Sequence, residues 1–290
     1  MLKFATGALI LLSWFGGPVH GEISPGFKNC LEFFYENIIP EGITGEGICQ
    51  VYKNKYRFST LYDKTRRIPF YSAYILNATT GSRPDTPWKI EPQLASLTAG
   101  KEMKNQKKNQ KTDQNVRESQ AVDEDYKNSG YTRGHLAPSS HQNTEDDRRA
   151  TFTLTNIVPQ MKGSNSGPWS NLEQEMLKRF ENCTSKMYVI TGAMPYKSEE
   201  HKIKDRVHIP EYMWTAYCCE SFDPKADQNR FPTYAAVGRN DQNSPEDIVK
   251  KDPNNKGYDV KEMSLESLEQ ILKERLKLPG ISLFKNKCKK

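Results

Sequence analysis

The chain has 290 residues, of which 36% are hydrophobic and 10% aromatic, so it can form a sizeable core and is not a disordered polypeptide. No internal repeat is visible, which argues against a solenoid or propeller. The formal net charge of +6 favours a polyanionic partner, but mild basicity is common among exported proteins. We expect a single domain over residues 22–290.

Residues 1–21 contain one lysine, then an apolar run, then Val19-His20-Gly21. This order is typical of a secretory signal peptide, and we place the cleavage after Gly21. The apolar run is shorter than the roughly 20 residues of a membrane-spanning helix, and no later segment qualifies. The sequence therefore predicts a soluble, secreted, extracellular protein.

The cysteine count agrees with export, because an even number of cysteines in an exported chain indicates disulfides. The sequence leaves their pairing open, but neighbouring residues of a strand point to opposite faces, so adjacent cysteines should have different partners. The absence of CxxC spacing argues against zinc. The sequons predict glycosylation at Asn77, the better candidate, and at Asn182. The six cysteines are Cys30, Cys49, Cys183, Cys218, Cys219 and Cys288.

The first half of the chain contains two alternating segments, 52–61 and 68–76, which predict a hairpin. Arg57 on the first of them could face a substrate, although solvent is the more common location for a strand arginine. Residues 79–125 lose this periodicity and predict a flexible basic insertion. Its lysine-rich part, 101–117, suits a mobile solvated loop slightly better than a clamp on a polyanionic backbone.

The second half adds a β-branched run at 151–158, which predicts a strand, and a helix that begins at Pro168. Trp169 on this helix should lie in the core. Residues 188–191, 212–218 and 233–237 predict further strands, and 263–276 predicts a late helix capped by Ser264. This order favours an α+β fold with a central, mostly antiparallel sheet flanked by helices on both faces.

Two blocks carry the candidate chemistry, Tyr131-Thr-Arg-Gly-His-Leu-Ala-Pro138 and the segment from Thr151 to Glu173. A neutral histidine can accept a proton from water near pH 7, and an arginine can bind phosphate oxygens with two donors. An asparagine carbonyl suits a hard divalent cation, and Gly134 lets the backbone approach a ligand. Together these groups suit the hydrolysis of a phosphodiester.

These blocks, RGHLAP followed by TFTLTNIVPQ and by Asn-x7-Glu, resemble the DNA/RNA non-specific endonuclease family with its ββα-metal active site. The phrases RFSTLYDKTRRIPFYSAY, YVITGAMP and IPEYMWTAYCC are similar to one branch, the endonuclease domain-containing 1 proteins. The resemblance runs from about Cys30 to Cys288. It implies Mg²⁺, with Mn²⁺ as an alternative, and binding of DNA and RNA through their phosphates with little sequence preference.

His135 is the candidate general base, and a structural histidine is its alternative. Asn165 is the candidate metal ligand, and its alternative is to cap the helix that starts at Pro168. On a continuous helix, Glu173 would lie about 80° from Asn165 around the helix axis and roughly 12 Å from it along the axis. The two side chains could then hardly bind the same metal ion directly. The resemblance implies that Glu173 holds metal-bound water; an exposed helical glutamate is the alternative.

The resemblance also implies that Arg133 holds the phosphate and that Asn156 supports the site. Two positions depart from the family pattern. Thr132 stands where an acidic residue is common, although a hydroxyl residue also occurs there. Leu177 stands where some members have an arginine.

The candidate residues favour a secreted Mg²⁺-dependent endonuclease that cuts DNA and RNA. The second hypothesis is a nuclease-like nucleic-acid-binding or interaction protein with weak or lost catalysis. A third, a basic disulfide-rich matrix or lectin-like module, leaves the Arg-Gly-His block unexplained. The oligomeric state is open at this stage.

Overall fold

A computed structural model describes residues 22–77, 81–106 and 112–288. The predicted signal peptide lies outside the described residues. The strands are β1 (Glu22–Ile23), β2 (Glu46–Tyr52), β3 (Lys55–Asp63), β4 (Ile68–Leu76), β5 (Lys89–Ile90), β6 (Lys104–Asn105), β7 (Thr132–His135), β8 (Ile157–Gln160), β9 (Met187–Met194), β10 (Lys202–Ile203), β11 (Val207–His208), β12 (Tyr212–Cys219), β13 (Thr233–Arg239) and β14 (Val260–Met263). The α-helices are α1 (Pro92–Ala95), α2 (Gln114–Ser119), α3 (Asp123–Tyr126), α4 (Glu145–Ala150), α5 (Lys162–Asn165), α6 (Pro168–Phe180) and α7 (Leu265–Arg275).

The main sheet has eight strands in the order β1-β2-β3-β4-β9-β12-β13-β14. Every neighbouring pair in it is antiparallel. The predicted hairpin is present as β3 and β4, which pair on either side of the polar turn. The predicted α+β class with a central antiparallel sheet is confirmed.

Side chains alternate between two hydrophobic layers, because successive strand residues point to opposite faces. On β12, Met213 and Tyr217 belong to one layer, while Trp214 and Ala216 belong to the other. Helix α6 covers the first layer through Trp169, Leu172 and Met176. The indole of Trp169 occupies the space beside Gly238 on β13, where a Cβ would lie 2.5 Å from its ring.

The second layer is covered by α7, which begins after its cap Ser264 as predicted and buries Leu268 and Leu272. The chain near the N-terminus packs on the same layer. Three disulfides join Cys30 to Cys49, Cys183 to Cys219, and Cys218 to Cys288. The adjacent cysteines thus have different partners, as predicted, and they lie in different layers.

Two regions differ from the sequence-based predictions. The run 151–158 is not one strand, because a 3₁₀ turn occupies Leu154–Asn156 and the strand begins only at Ile157. The basic insertion contains β5, β6 and three short helices, and Met103 and Val122 within it are buried in the protein. Those parts are therefore not solvated loops. Residues 107–111 lie outside the described residues, so a clamp there stays a prediction.

Candidate active site

A small hairpin carries the Arg-Gly-His block found in the sequence. Strands β7 and β8 are antiparallel, with Thr132 opposite Gln160 and His135 opposite Ile157. Helices α5 and α6 follow directly, which completes a ββα unit. Gly134 is needed for the hairpin itself, since a Cβ there would lie 2.2 Å from the side-chain oxygen of Gln160. The sequence suggested that Gly134 lets the backbone approach a ligand, but the group that approaches it is the side chain of Gln160.

The side chain of Asn156 forms hydrogen bonds to the backbone just after His135. Its side-chain amide donates to the carbonyls of Ala137 and Thr151, both at 3.0 Å. Its Oδ1 accepts from the Ala137 N–H at 2.9 Å and from the Ser72 hydroxyl at 2.8 Å. A buried amide with all these bonds satisfied is a rigid support. The predicted supporting role of Asn156 agrees with this position.

His135 lies among aromatic rings. Its ring centroid is 5.6 Å from that of Trp88 and 5.0 Å from that of Phe152. Its Nε2 is buried, and no residue among 22–77, 81–106 and 112–288 makes a hydrogen bond to it. Burial, and next the positive charge of Arg83, lower the pKa of His135 to about 3. The imidazole is therefore neutral at pH 7, and its Nε2 has no hydrogen-bond partner among the described residues.

Arg83 lies near His135 but was not singled out from the sequence. Its guanidinium carbon is 5.0 Å from the ring centroid of Phe152, which itself contacts His135. The side chain is exposed, and no carboxylate in the described part of the chain forms an ion pair with it. Arg83 is therefore a cation beside the histidine that is available to an anion.

Arg133 has a different environment from the one its predicted role requires. Its guanidinium forms a 2.6 Å ion pair with Asp123. It also lies 5.3 Å from the ring centroid of Trp88 and 5.3 Å from that of Tyr126. Arg133, Trp88 and Asp123 all line a groove of about 690 Å³. The Arg133 guanidinium thus packs against the ring of Trp88, which itself contacts His135, and it is already paired with the carboxylate of Asp123.

Asn165 lies at the end of α5 and bonds to the hairpin. Its Nδ2 donates to the Thr132 hydroxyl at 2.9 Å, and that hydroxyl donates to the Gln160 carbonyl at 2.7 Å. Within the described ranges, no donor bonds to Asn165 Oδ1. This oxygen is the only part of the amide left for a cation. The capping alternative is wrong, because the cap position of α6 is Gly167 and no side chain caps it.

The chain between Asn165 and Glu173 is not one helix. Helix α5 ends at Asn165, and Gly167 adopts φ −124° and ψ −125° before α6 begins. The separation expected on a continuous helix therefore does not apply. Glu173 lines a small cavity with Tyr74, His141 and Trp169.

Burial raises the pKa of the Glu173 carboxyl to about 8, and the nearby indole N–H of Trp169 opposes this only in part. A carboxylate in such a place needs a neighbouring cation to stay ionised at neutral pH. Glu173 is therefore not the exposed helical glutamate of the alternative interpretation. No hydrogen bond or ion pair within the described residues joins Glu173 to His135 or to Asn165.

The described residues contain no group of three or more His, Cys, Asp or Glu side chains that could hold a metal. The oxygen donors present nevertheless suit Mg²⁺, which keeps most of its waters and needs one or two protein oxygens. Asn165 Oδ1 is such a donor, and Glu173 offers a carboxylate that would be stabilised by positive charge. The chemistry of the residues thus fits a hydrated hard cation.

The DNA/RNA non-specific endonuclease family matches residues 34–286. The chain belongs to the DNA/RNA non-specific endonuclease family. It is 33% identical over 223 residues to the human endonuclease domain-containing 1 protein, a match that covers 74% of this chain and 44% of that protein. It is 30% identical over 184 residues to the zebrafish (Danio rerio) mitochondrial nuclease EXOG, covering 57% of this chain and 46% of that nuclease. The predicted membership is confirmed, and the chain spans less than half the length of these relatives.

A solved structure supports the family fold. The chain aligns with a structure of the EndoG/EndoGI complex at a TM-score of 0.53 and 19% identity, covering 88% of this chain and 91% of that one. The Arg-Gly-His block and Asn165 thus occur on a family fold and not on an unrelated scaffold. The family pattern pointed to His135, Asn165 and Glu173, while Arg83 and Trp88 carry no sequence signal of their own, and Phe152 was part of the motif without an assigned role.

Proposed function

We propose that this chain is a divalent-metal-dependent endonuclease that hydrolyses phosphodiester bonds in DNA and RNA. The observation that carries the proposal is the state of His135, which has a neutral ring and an unsatisfied nitrogen on the ββα hairpin. A buried polar atom without a partner calls for a functional explanation. Acceptance of a proton from the attacking water is the explanation that suits a histidine in this family.

His135 would act as the general base, although a pKa of about 3 in the free protein makes it a weak one. A bound phosphodiester would change this in two ways. Its negative charge would stabilise the imidazolium, and its pairing with Arg83 would neutralise one of the two causes of the low pKa. Substrate binding would therefore raise the basicity of His135 when it is needed.

Asn165 would hold a divalent cation through Oδ1, and Glu173 would hold water bound to that cation. We propose Mg²⁺, with Mn²⁺ as an alternative. When bound, the ion would polarise the phosphoryl oxygen and stabilise the charge that develops in the transition state. A cation nearby would offset the burial that raises the pKa of Glu173 and would favour its ionised form.

Arg83 is the residue to which we assign the first phosphate contact, since it is exposed and lies beside the histidine. Arg133 would join it only by giving up its 2.6 Å pair with Asp123. Contacts of this kind fall on the sugar-phosphate backbone and carry no sequence information. We therefore expect cutting of both DNA and RNA with little sequence preference.

We also propose that the protein is secreted and glycosylated, with Asn77 as the first modified residue and Asn182 as the second. The three disulfides support an oxidising compartment. Both asparagines are exposed. In the part of the chain that the structure describes, we find no helix with the length and apolar character needed to span a bilayer.

One observation favours a second candidate, a nucleic-acid-binding or interaction protein with weak or lost catalysis. The pairing of Arg133 with Asp123 removes a predicted phosphate ligand from the free protein. In this alternative the groove beside Trp88 would bind the polymer without cutting it.

The test is digestion of supercoiled plasmid and of single-stranded RNA by the purified mature protein, with the His135→Ala variant as the matched control. We expect nicking and then degradation with Mg²⁺, and none with EDTA. Full activity in EDTA would rule out the metal role. Binding without cleavage, under any divalent ion, would establish the second candidate.

A further inference from the structure

The hydroxyl of Thr132 connects the hairpin to α5 through two hydrogen bonds. It donates to the Gln160 carbonyl at 2.7 Å and accepts from Asn165 Nδ2 at 2.9 Å. Gln160 is the residue opposite Thr132 in the β7–β8 register, so the first bond is anchored in the hairpin itself. The second reaches the side chain whose oxygen is the candidate metal ligand.

These two bonds determine which end of the Asn165 amide faces the hairpin. A hydroxyl has one proton to donate, and a carbonyl oxygen can only accept. Because the Gln160 carbonyl takes that proton, Thr132 can offer Asn165 only lone pairs. The amide must then present its NH₂ group to Thr132, which leaves Oδ1 as the end available elsewhere.

We infer that Thr132 is a positioning residue that holds the Asn165 amide in the orientation required for metal binding. The inference rests on the proposed metal role of Asn165. Loss of a residue that orients a metal ligand through a hydrogen bond typically lowers metal affinity or activity by about 10-fold to 100-fold. Thr132 orients Asn165 without touching the metal or the substrate.

This role gives the departure at position 132 a chemical meaning. An ionised carboxylate there could accept from Asn165 Nδ2, but it has no proton for the Gln160 carbonyl. Two acceptors would then face each other across the hairpin. A hydroxyl satisfies both neighbours. Serine at position 132 should therefore preserve the orientation of the Asn165 amide, and valine should not.

The experiment measures Mn²⁺ binding to metal-free protein from the electron paramagnetic resonance signal of the free ion, in the absence of nucleic acid. Thr132→Val keeps the shape of the side chain and removes the hydroxyl, while Thr132→Ser keeps the hydroxyl. Asn165→Ala and the Thr132→Val/Asn165→Ala double variant complete a cycle. Thermal unfolding checks that each variant is folded, and Thr132→Ala replaces the valine variant if that one is not.

We expect Thr132→Val to weaken Mn²⁺ binding by about 10-fold to 100-fold, and Thr132→Ser to leave it close to that of the unchanged protein. The double variant should bind no more weakly than Asn165→Ala alone, because Thr132 acts only through Asn165. Normal binding by Thr132→Val, or a further loss in the double variant, would overturn the inference while leaving the proposed function intact. Normal binding by Asn165→Ala would instead remove the metal role of Asn165, and this inference with it.

Discussion

The surroundings of His135, the proposed general base, and of His141 differ in the hydrogen-bond partners of the two rings. His141 is fully buried and His135 is half-buried, and burial lowers the pKa of His141 to about 4 and that of His135 to about 3. His141, however, has a partner at each nitrogen. Its Nδ1 lies 2.9 Å from the Tyr74 hydroxyl, and its Nε2 lies 3.0 Å from the Glu173 carbonyl.

His135 has aromatic rings where His141 has polar partners. Nothing in the described residues bonds to its Nε2, and its neighbours are Trp88 and Phe152. Burial and a low pKa alone therefore do not identify the base, since both histidines share them. The unused hydrogen-bonding capacity of His135 is what distinguishes it.

The largest expected effect is on cleavage by His135→Ala. Removal of the general base should lower the single-turnover rate by about 10²–10⁴-fold while binding of nucleic acid is retained. Asn165→Ala should also slow cleavage, but higher Mg²⁺ should recover part of that loss and none of the His135 loss. Rates are measured across a Mg²⁺ series, and affinity is measured separately in Ca²⁺. Recovery of His135→Ala by Mg²⁺ would show that the two roles are reversed.

His141→Ala should act on stability instead. The substitution removes the hydrogen bonds of His141 to the Tyr74 hydroxyl and the Glu173 carbonyl and leaves a cavity in the core, at a cost of about 3 kcal/mol. Urea unfolding measures the loss, with His135→Ala as the matched variant that should lose much less. Equal losses of unfolding free energy in the two variants would contradict the assignment of a structural role to His141 and not to His135.

Glu173→Gln should change how stability depends on pH in metal-free protein. Because the pKa of Glu173 is raised to about 8 in the folded state, its protonated form favours folding below its ordinary value of 4.5, and this contribution is lost as the pH rises towards 8. The glutamine variant does not titrate, so its midpoint of thermal unfolding should rise relative to the unchanged protein across that window. Parallel pH profiles for the two proteins would contradict a raised pKa.

Arg83→Gln should have the smallest effect in the free protein, where it should raise the pKa of His135 and leave that of His141 unchanged. The charge of Arg83 lowers the pKa of His135 and does not act on that of His141, so its removal should raise only the former. Titration of both rings by ¹⁵N nuclear magnetic resonance makes the comparison within one sample. A matched shift of His141 would point to a general loosening of the core.

Sequence patterns predicted the parts of the fold whose side chains alternate or repeat at helical spacing, such as β3, β4 and α6. They failed at 151–158, where the side chain of Asn156 bonds to backbone groups and the strand starts late. The motif also singled out Asn165 and Glu173 as candidate site residues. It did not point to Arg83 or Trp88, which reach His135 from a segment without periodic spacing, and it included Phe152 only as a residue of the predicted strand.

The disulfides described above also divide the chain into parts that can and cannot be separated by a single cut. A break at any peptide bond between Cys30 and Cys49, or between Cys183 and Cys288, leaves both pieces joined by at least one disulfide. A break between residues 50 and 182 does not, and this interval contains the whole ββα hairpin. After a single cut in this interval the two pieces are held together only by non-covalent packing, and a protease that cut on both sides of the hairpin could release the part that carries His135 from an otherwise cross-linked protein.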